Sequence, residues 1–251
     1  MTDLISYAVT DGVAHIELNR PEAANAIDMP TAQAFRAAIG QAAADDAVRA
    51  VLLTGAGKRF CAGGDVAAFA SFESAEDQRD YLVGLAHELD AANQELAALE
   101  KPVVAHVQGA VAGAGLSVML SCDLIVAAEG TKFVIAYPGV GLVPDVGCSW
   151  LLPRAIGQQR ALHLALTNKP IGSDVALDWG LVTEVGDASR ATELATQLAA
   201  GPVFALGQAR RLIRNSYAAT RAEAGADEAE TIGRAVMTED ARGLIHAFAN
   251  R

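Results

Sequence analysis

The chain is poor in cysteine. Its three residues, Cys61, Cys122 and Cys148, stand at irregular spacings, and no C-x-x-C pair occurs. A disulfide framework and the usual zinc and dithiol motifs are therefore excluded, no metal site is expected, and reduced thiols in a cytoplasmic setting are the natural reading. Aromatic residues make up only 5% of the chain, so the core must be built from small and aliphatic side chains rather than stacked rings. No apolar run reaches 18 residues, and the opening MTDLISYAV has no basic stretch ahead of an apolar one. Neither a membrane span nor a secretion leader is expected. Positive charge is scarce as well: 19 Lys and Arg face 30 Asp and Glu, for a formal net charge of -11. With no basic stripe or arginine-rich segment, nucleic acid is not an expected partner.

What remains is a chain of 251 residues with 52% hydrophobic content, enough for one large domain with a helical appendage. Its organising stretch is Lys101–Asp123, KPVVAHVQGAVAGAGLSVMLSCD. Pro102–Val107 reads as a buried strand, Gly109–Gly115 as a flexible turn, and Leu116–Leu120 as the start of a buried helix. Such a turn lets backbone approach a ligand and aims the free N–H groups of a helix's first turn at it. It is not a nucleotide loop, because the G-K-[ST] ending and the GxGxxG spacing are both missing. Taken alone it is equally consistent with tight helix–sheet packing. A second strand, Ala50–Thr54, runs into GAGKRFCAGGDV at Gly55–Val66, with Gly63-Gly64 before Asp65. Two glycine-bearing strand ends could supply two converging N–H donors, as acyl transfer or enolate formation requires.

Along the chain, Ile5–Val9 and Val13–Leu18 flank Asp11-Gly12 and predict a β-hairpin. Asp28 is placed to cap a helix carrying Pro30 in its first turn. Ser71–Asp80 is poorly patterned and reads as a mobile loop or short helix, followed by a helix over Tyr81–Leu99. Leu124–Ala128 and Lys132–Ala136 read as strands, Pro138–Pro144 as non-helical, and the segment after Asp145 as a short helix ending near Pro153. Ser173 is expected to cap Asp174–Trp179, with Gly180 closing that helix. Leu181–Val185 reads as a strand, and helices alone follow. The expected division is 1–187 as the core and 188–251 as a helical region that packs on the core or on a neighbouring subunit.

These segments resemble the crotonase superfamily, the enoyl-CoA hydratase/isomerase family. The matching motifs are ELNRPEAANAI, GAGKRFCAGGDV, KPVVAHVQGAVAGAGLSVMLSCDLIVA, GVGLVPDVGCSWLLPRAIG and ALDWGLVTEV, five in order over essentially the whole chain. The resemblance implies an α/β fold of stacked β-β-α turns with a helical C-terminal region. It implies acyl-CoA thioester substrates, with coenzyme A as part of the substrate and no permanently bound cofactor, and assembly as a homotrimer or hexamer. It assigns the two oxyanion-binding N–H groups to Gly64 and Ala114; the second is more often glycine, and alanine suffices where φ need not be positive. The cofactor portion is expected along Glu22, Ala23, Ala24, Ala62, Gly63, Asp65 and Val66, with Lys58 and Arg59 the cations at hand.

The two glutamates that serve hydratases of this family are replaced here by Ser117 and Tyr137, which argues against hydration. Asp145, in GLVPDVG, matches the acidic position of isomerising members, with ring-epoxide isomerases of phenylacetyl-CoA breakdown especially similar. The implied reaction is an enolate-type isomerisation with Asp145 moving the proton, its pKa raised by burial against Val143, Val146 and Trp150. Read from its surroundings alone, Asp145 is first a helix N-cap, and only the family pattern turns the reading to catalysis. Aryl-CoA dehalogenases have a nucleophilic aspartate at this position but also a histidine where this chain has Asp90; His87 lies one turn away. Tyr137, Trp150, Asp90 and Ser117 are the expected acyl-pocket residues, and His106 is expected in the core. Enoyl-CoA hydration, aryl-CoA dehalogenation and non-catalytic acyl-CoA binding remain as alternatives.

Overall fold

The structure is a computed structural model and describes residues 3–250; the outermost residues of the two expected regions, 1, 2 and 251, lie outside it. The chain opens with β1 (Ile5–Thr10) and β2 (Val13–Leu18), an antiparallel hairpin. Asp11 and Gly12 both take positive φ, 51° and 77°, the geometry a tight two-residue hairpin turn demands. A 3-10 turn at Pro21–Ala23 leads to α1 (Met29–Ala44), whose cap is Asp28, accepting from the Thr31 N–H at 2.9 Å. Then come β3 (Ala50–Gly55), α2 (Val66–Ala70), α3 (Ala75–Ala98), β4 (Val103–Val107), β5 (Ala110–Ala112), α4 (Ala114–Leu120), β6 (Leu124–Ala127) and β7 (Lys132–Val134). After a 3-10 turn at Tyr137–Val140 follow α5 (Cys148–Ile156), α6 (Gln158–Thr167), β8 (Ile171–Gly172), α7 (Ser173–Trp179) and β9 (Glu184–Val185). The remainder is helical: α8 (Ala188–Ala199), α9 (Val203–Asn215), α10 (Arg221–Val236) and α11 (Glu239–Ala249).

The main sheet has the order β1-β2-β3-β4-β6-β9 and is parallel after the first hairpin; β5, β7 and β8 form a second, smaller sheet. Side chains alternate between its two faces as the pleat requires. Ile16, Leu18, Val51, Leu53, Val103 and Ala105 pack into the principal core with α1 and α3, whereas Val13, Ala50, Leu52, Val104 and Val126 meet Ala191, Ala195 and Ala199 of α8. With both faces covered, the central strands read as continuous apolar runs.

Six local expectations are corrected, two of them briefly: Ala110–Ala112 of the expected flexible turn pairs as β5, and only Glu184–Val185 of the expected strand Leu181–Val185 is strand. The acidic segment after Ala70 is not a loop up to Tyr81: α3 begins at Ala75, because Ser74 accepts from the Asp77 N–H at 3.0 Å and Glu76 and Asp77 complement the helix's positive end. Part of the Pro138–Pro144 segment turns as a 3-10 helix. The helix after Asp145 runs on through Pro153 to Ile156. Ser173 lies inside α7 rather than capping it, and its hydroxyl accepts from the Gly130 N–H at 3.2 Å, so the cap position falls to Gly172.

Candidate active site

Two turns meet at the centre of the molecule. In the first, Ile27 pairs with the strand-like run at Gly63–Asp65: the Ile27 N–H donates to Gly63 O at 2.8 Å and the Asp65 N–H to Ile27 O at 2.9 Å. Successive residues of an extended chain present their N–H groups to opposite sides, so pairing at 63 and 65 turns the Gly64 N–H away from that partner. In the second, β5 hands over to α4 through Gly113, whose φ of 53° and ψ of -127° suit glycine. Ala114 is the first residue of α4, so its N–H has no acceptor within the helix. A Cβ on Gly63 would lie 3.0 Å from Ala112 O and 3.4 Å from the Ala114 nitrogen, which is why the two turns can touch only with glycine there. Gly115 serves the same approach from behind, since a Cβ there would meet Cys61 O at 2.8 Å.

Both turns line a cavity of about 110 Å³. Its walls are the Leu82, Leu85, Ala86 and Leu89 stripe of α3, Phe69 of α2, and Val140, Leu142 and Val146 from the segment ahead of α5. Tyr137 and Asp145 are the only titratable side chains in this lining among the described residues. The Tyr137 hydroxyl donates to Asp145 Oδ1 at 2.5 Å. Burial raises Asp145 above the ordinary carboxylate range; the Tyr137 bond pulls it partly back, and the charge of Asp90 adds a smaller upward push. Tyr137 is pushed well above the ordinary phenol range, first by burial and then by the neighbouring carboxylate, so it stays a donor.

Asp145 is not a helix cap. The residue before α5 is Gly147, and no side chain caps that helix. Val146 and Gly147 both take left-handed backbone, with φ of 49° and 77°, and this double turn frees the Asp145 carboxylate to face Tyr137. Three expected pocket residues lie elsewhere. Asp90 accepts from Gln94 Nε2 at 2.6 Å and faces a neighbouring groove. Trp150 is half-exposed in that same groove, with the Arg154 guanidinium 3.7 Å above its ring. Ser117 is fully buried behind the site, its hydroxyl 3.4 Å from the Asp145 carbonyl oxygen. Nor do Val143 and Trp150 bury Asp145: Val143 is 78% exposed, and of the three only Val146 is inside. His87 is exposed on α3, and His106 is buried in β4 with Nε2 unpaired.

Of the expected cofactor-binding residues, Ala62, Gly63 and Val66 line the cavity. Glu22, Ala23 and Ala24 form the adjoining rim, where the Ala62 N–H donates to Ala24 O at 3.1 Å. Asp65 is held by structure: it caps α2 and pairs with Arg20 at 3.0 Å. Sequence reading missed Asn25, which pins this rim by donating to Ala56 O and Arg59 O and accepting from the Arg20 N–H. Burial pushes the thiol of Cys61 up to about 12, so it is no thiolate nucleophile at neutral pH.

Fold and site together define a class: an α/β enzyme in which two glycine-bearing turns meet at an apolar cavity holding one carboxylate. The family model described as enoyl-CoA hydratase/isomerase matches residues 8–251. The chain is 36% identical over 220 residues to a 1,2-epoxyphenylacetyl-CoA isomerase of Escherichia coli, covering 86% of this chain and 84% of that protein. It is 33% identical to a trans-2-decenoyl-[acyl-carrier-protein] isomerase of Streptococcus mutans, covering 98% and 95%. The crystal structure of an enoyl-CoA hydratase from Polaromonas sp. JS666 superposes with a TM-score of 0.90 at 32% identity, covering 98% of this chain and 96% of that one. The chain belongs to the enoyl-CoA hydratase/isomerase family, within the crotonase superfamily.

Proposed function

We propose that the chain is an acyl-CoA thioester isomerase that shifts a double bond, or isomerises a ring epoxide, through an enolate. The observation that carries this reading is the single carboxylate of the cavity, Asp145, bonded to Tyr137 and raised in pKa by burial. For a 3-enoyl thioester, the carbonyl oxygen is placed against the Gly64 and Ala114 N–H groups. Asp145 takes a proton from C2, and the electron pair spreads over a dienolate whose oxygen charge those donors stabilise. The acid so formed returns the proton at C4, leaving the double bond at C2–C3 and Asp145 ionised again. Each oxyanion donor contributes on the order of 3 kcal/mol to such a step. No water is added, so one carboxylate suffices.

Hydration would call for a second carboxylate to hold and activate water. Tyr137 and Ser117 stand where hydratases carry theirs, and neither ionises near neutral pH. Dehalogenation would require a histidine facing the pocket, and Asp90 and His87 both lie outside the cavity. The rim at Glu22–Ala24 and Ala62–Val66 is the seat we assign to the coenzyme A portion. We assign the helical region 188–251 to assembly as a homotrimer or hexamer.

The test is proton exchange into a 3-enoyl-CoA in heavy water, for wild type and Asp145→Asn. Exchange and 2-enoyl product in the wild type, both lost at least a thousandfold in the variant, are the expected result. An Asp145→Asn protein that exchanges at the wild-type rate would sink the reading.

A further inference from the structure

The acyl cavity does not stand alone. Beside it, past α3, lies a groove of about 720 Å³, lined on its apolar side by Ala97, Leu120, Leu151, Ala155 and Ile213. One residue, Val146, belongs to both linings. Val146 is 5% exposed, immediately follows the carboxylate Asp145, and holds left-handed backbone at φ 49°. A β-branched residue in that region is an outlier, because its Cβ crowds its own backbone; glycine would sit there without strain. Outliers of this kind persist where the surrounding structure demands them, and they cluster at functional sites. The question is therefore what a valine does at this position that glycine would not.

Size supplies the answer. A cavity of roughly 150 Å³ accommodates one benzene ring; at about 110 Å³ this one is smaller, so its upper bound is a single ring or a short aliphatic chain. The groove behind is several times larger and apolar enough for a long chain. We propose that Val146 is the specificity-determining partition of the acyl site: its side chain closes the cavity against the groove and restricts the substrate to short or single-ring acyl groups. This rests on the acyl-CoA reading above, but not on the proton-transfer step. The strained backbone holds the isopropyl group in the gap between α3 and α5, and losing the side chain joins the two volumes.

The experiment is calorimetric binding of saturated acyl-CoAs, butyryl, hexanoyl, decanoyl and dodecanoyl, to wild type, Val146→Gly and Val146→Ala, with free coenzyme A as control. These ligands carry no double bond to shift, so binding is read apart from catalysis. Wild type is expected to bind hexanoyl-CoA at least tenfold more tightly than dodecanoyl-CoA. Val146→Gly should cancel or invert that ratio, Val146→Ala should fall between, and affinity for free coenzyme A should not change. Should the glycine variant fail to fold, the alanine variant still reads the ratio. A wild type that binds dodecanoyl-CoA as tightly as hexanoyl-CoA, or variants whose chain-length profile matches the wild type, overturns the proposal. Absence of binding by every acyl-CoA overturns the acyl-CoA reading with it. A shifted profile in a protein without exchange activity supports the partition while removing the isomerase.

Discussion

Burial raises the Asp145 carboxyl, and the Tyr137 hydrogen bond is the largest effect drawing it back. Desolvation alone would hold Asp145 protonated over more of the pH range, and the Tyr137 hydroxyl at 2.5 Å favours the ionised form. The proposed base must be ionised, so activity is expected to fall as pH drops through the raised Asp145 pKa. Tyr137→Phe removes the donor and leaves the desolvation, so that acid limb should move to higher pH. A hydrogen bond to a charged group is worth about 1.5–3 kcal/mol, which corresponds to roughly one to two pH units. Rates of exchange measured against pH for both proteins check this, and an unmoved limb would mean that Tyr137 only packs. Asp145 and Tyr137 were both legible in the sequence from their motif; Asp90 and Trp150 were misplaced for a geometric reason. The cavity stripe of α3 is Leu82, Leu85, Ala86 and Leu89, and Asp90 follows one position later, about 100° further around the helix. Trp150 likewise stands off the inward line of Cys148, Leu152 and Ile156 on α5.

Elements were legible wherever a periodic apolar pattern coincided with a cap. α1 behind Asp28 emerged in this way, whereas the hairpin was marked by Asp11-Gly12 and the two turns by their glycines, although Ala110–Ala112 within the second pairs as β5. The first turns of α3 were lost because they carry charge instead of apolar side chains, and only the Ser74 cap marks their start. The double left-handed turn at Val146-Gly147 gives no sequence signal, because valine is the last residue expected there. What ties the late helices to the sheet was equally invisible. Asp123, ahead of β6, accepts from Arg210 Nε at 2.7 Å, Arg214 Nη2 at 2.8 Å and the Val103 N–H at 2.8 Å, joining α9 to the first residue of β4. Arg210 is buried and also donates to the Leu96 and Leu99 carbonyls. Removing the carboxylate leaves a buried guanidinium without its counter-charge, at a cost of roughly 3–5 kcal/mol. Asp123→Ala should accordingly lower the free energy of unfolding by about that amount in urea titration. A loss below about 1 kcal/mol would place the attachment of α9 in its apolar contacts instead.

At the scale of the whole molecule, the exposed surface is larger than a compact chain of this mass is expected to show. A monomer of 25.9 kDa is expected to expose about 10,500 Å², and this chain exposes 12847 Å². The excess has an address. Thr231 is the one buried residue of α10, and α11 has none. Arg211 pairs with Asp227 at 2.7 Å and fixes α10 to α9, yet Ile232, Val236, Met237, Leu244, Ile245 and Phe248 remain exposed. Their sequence pattern, thinly apolar on an acidic background, already indicated helices that need something to pack on; it could not say what. Amphipathic helices with so little burial draw most of their stability from packing against another surface, and exposed apolar side chains gathered on such helices are candidates for one. The assembly proposed above would cover that face with a second copy of the chain, because like apolar stripes cover each other without a charged counterpart. The protein should therefore run as three or six chains in light scattering coupled to gel filtration. Replacing Ile245 and Phe248 together by Glu puts two charges into the contact and should yield smaller species, with the Asp145 cavity still able to bind acyl-CoA. A wild type that remains a single chain at concentrations of tens of micromolar would overturn the assembly and leave the α10–α11 face as the seat of a different partner.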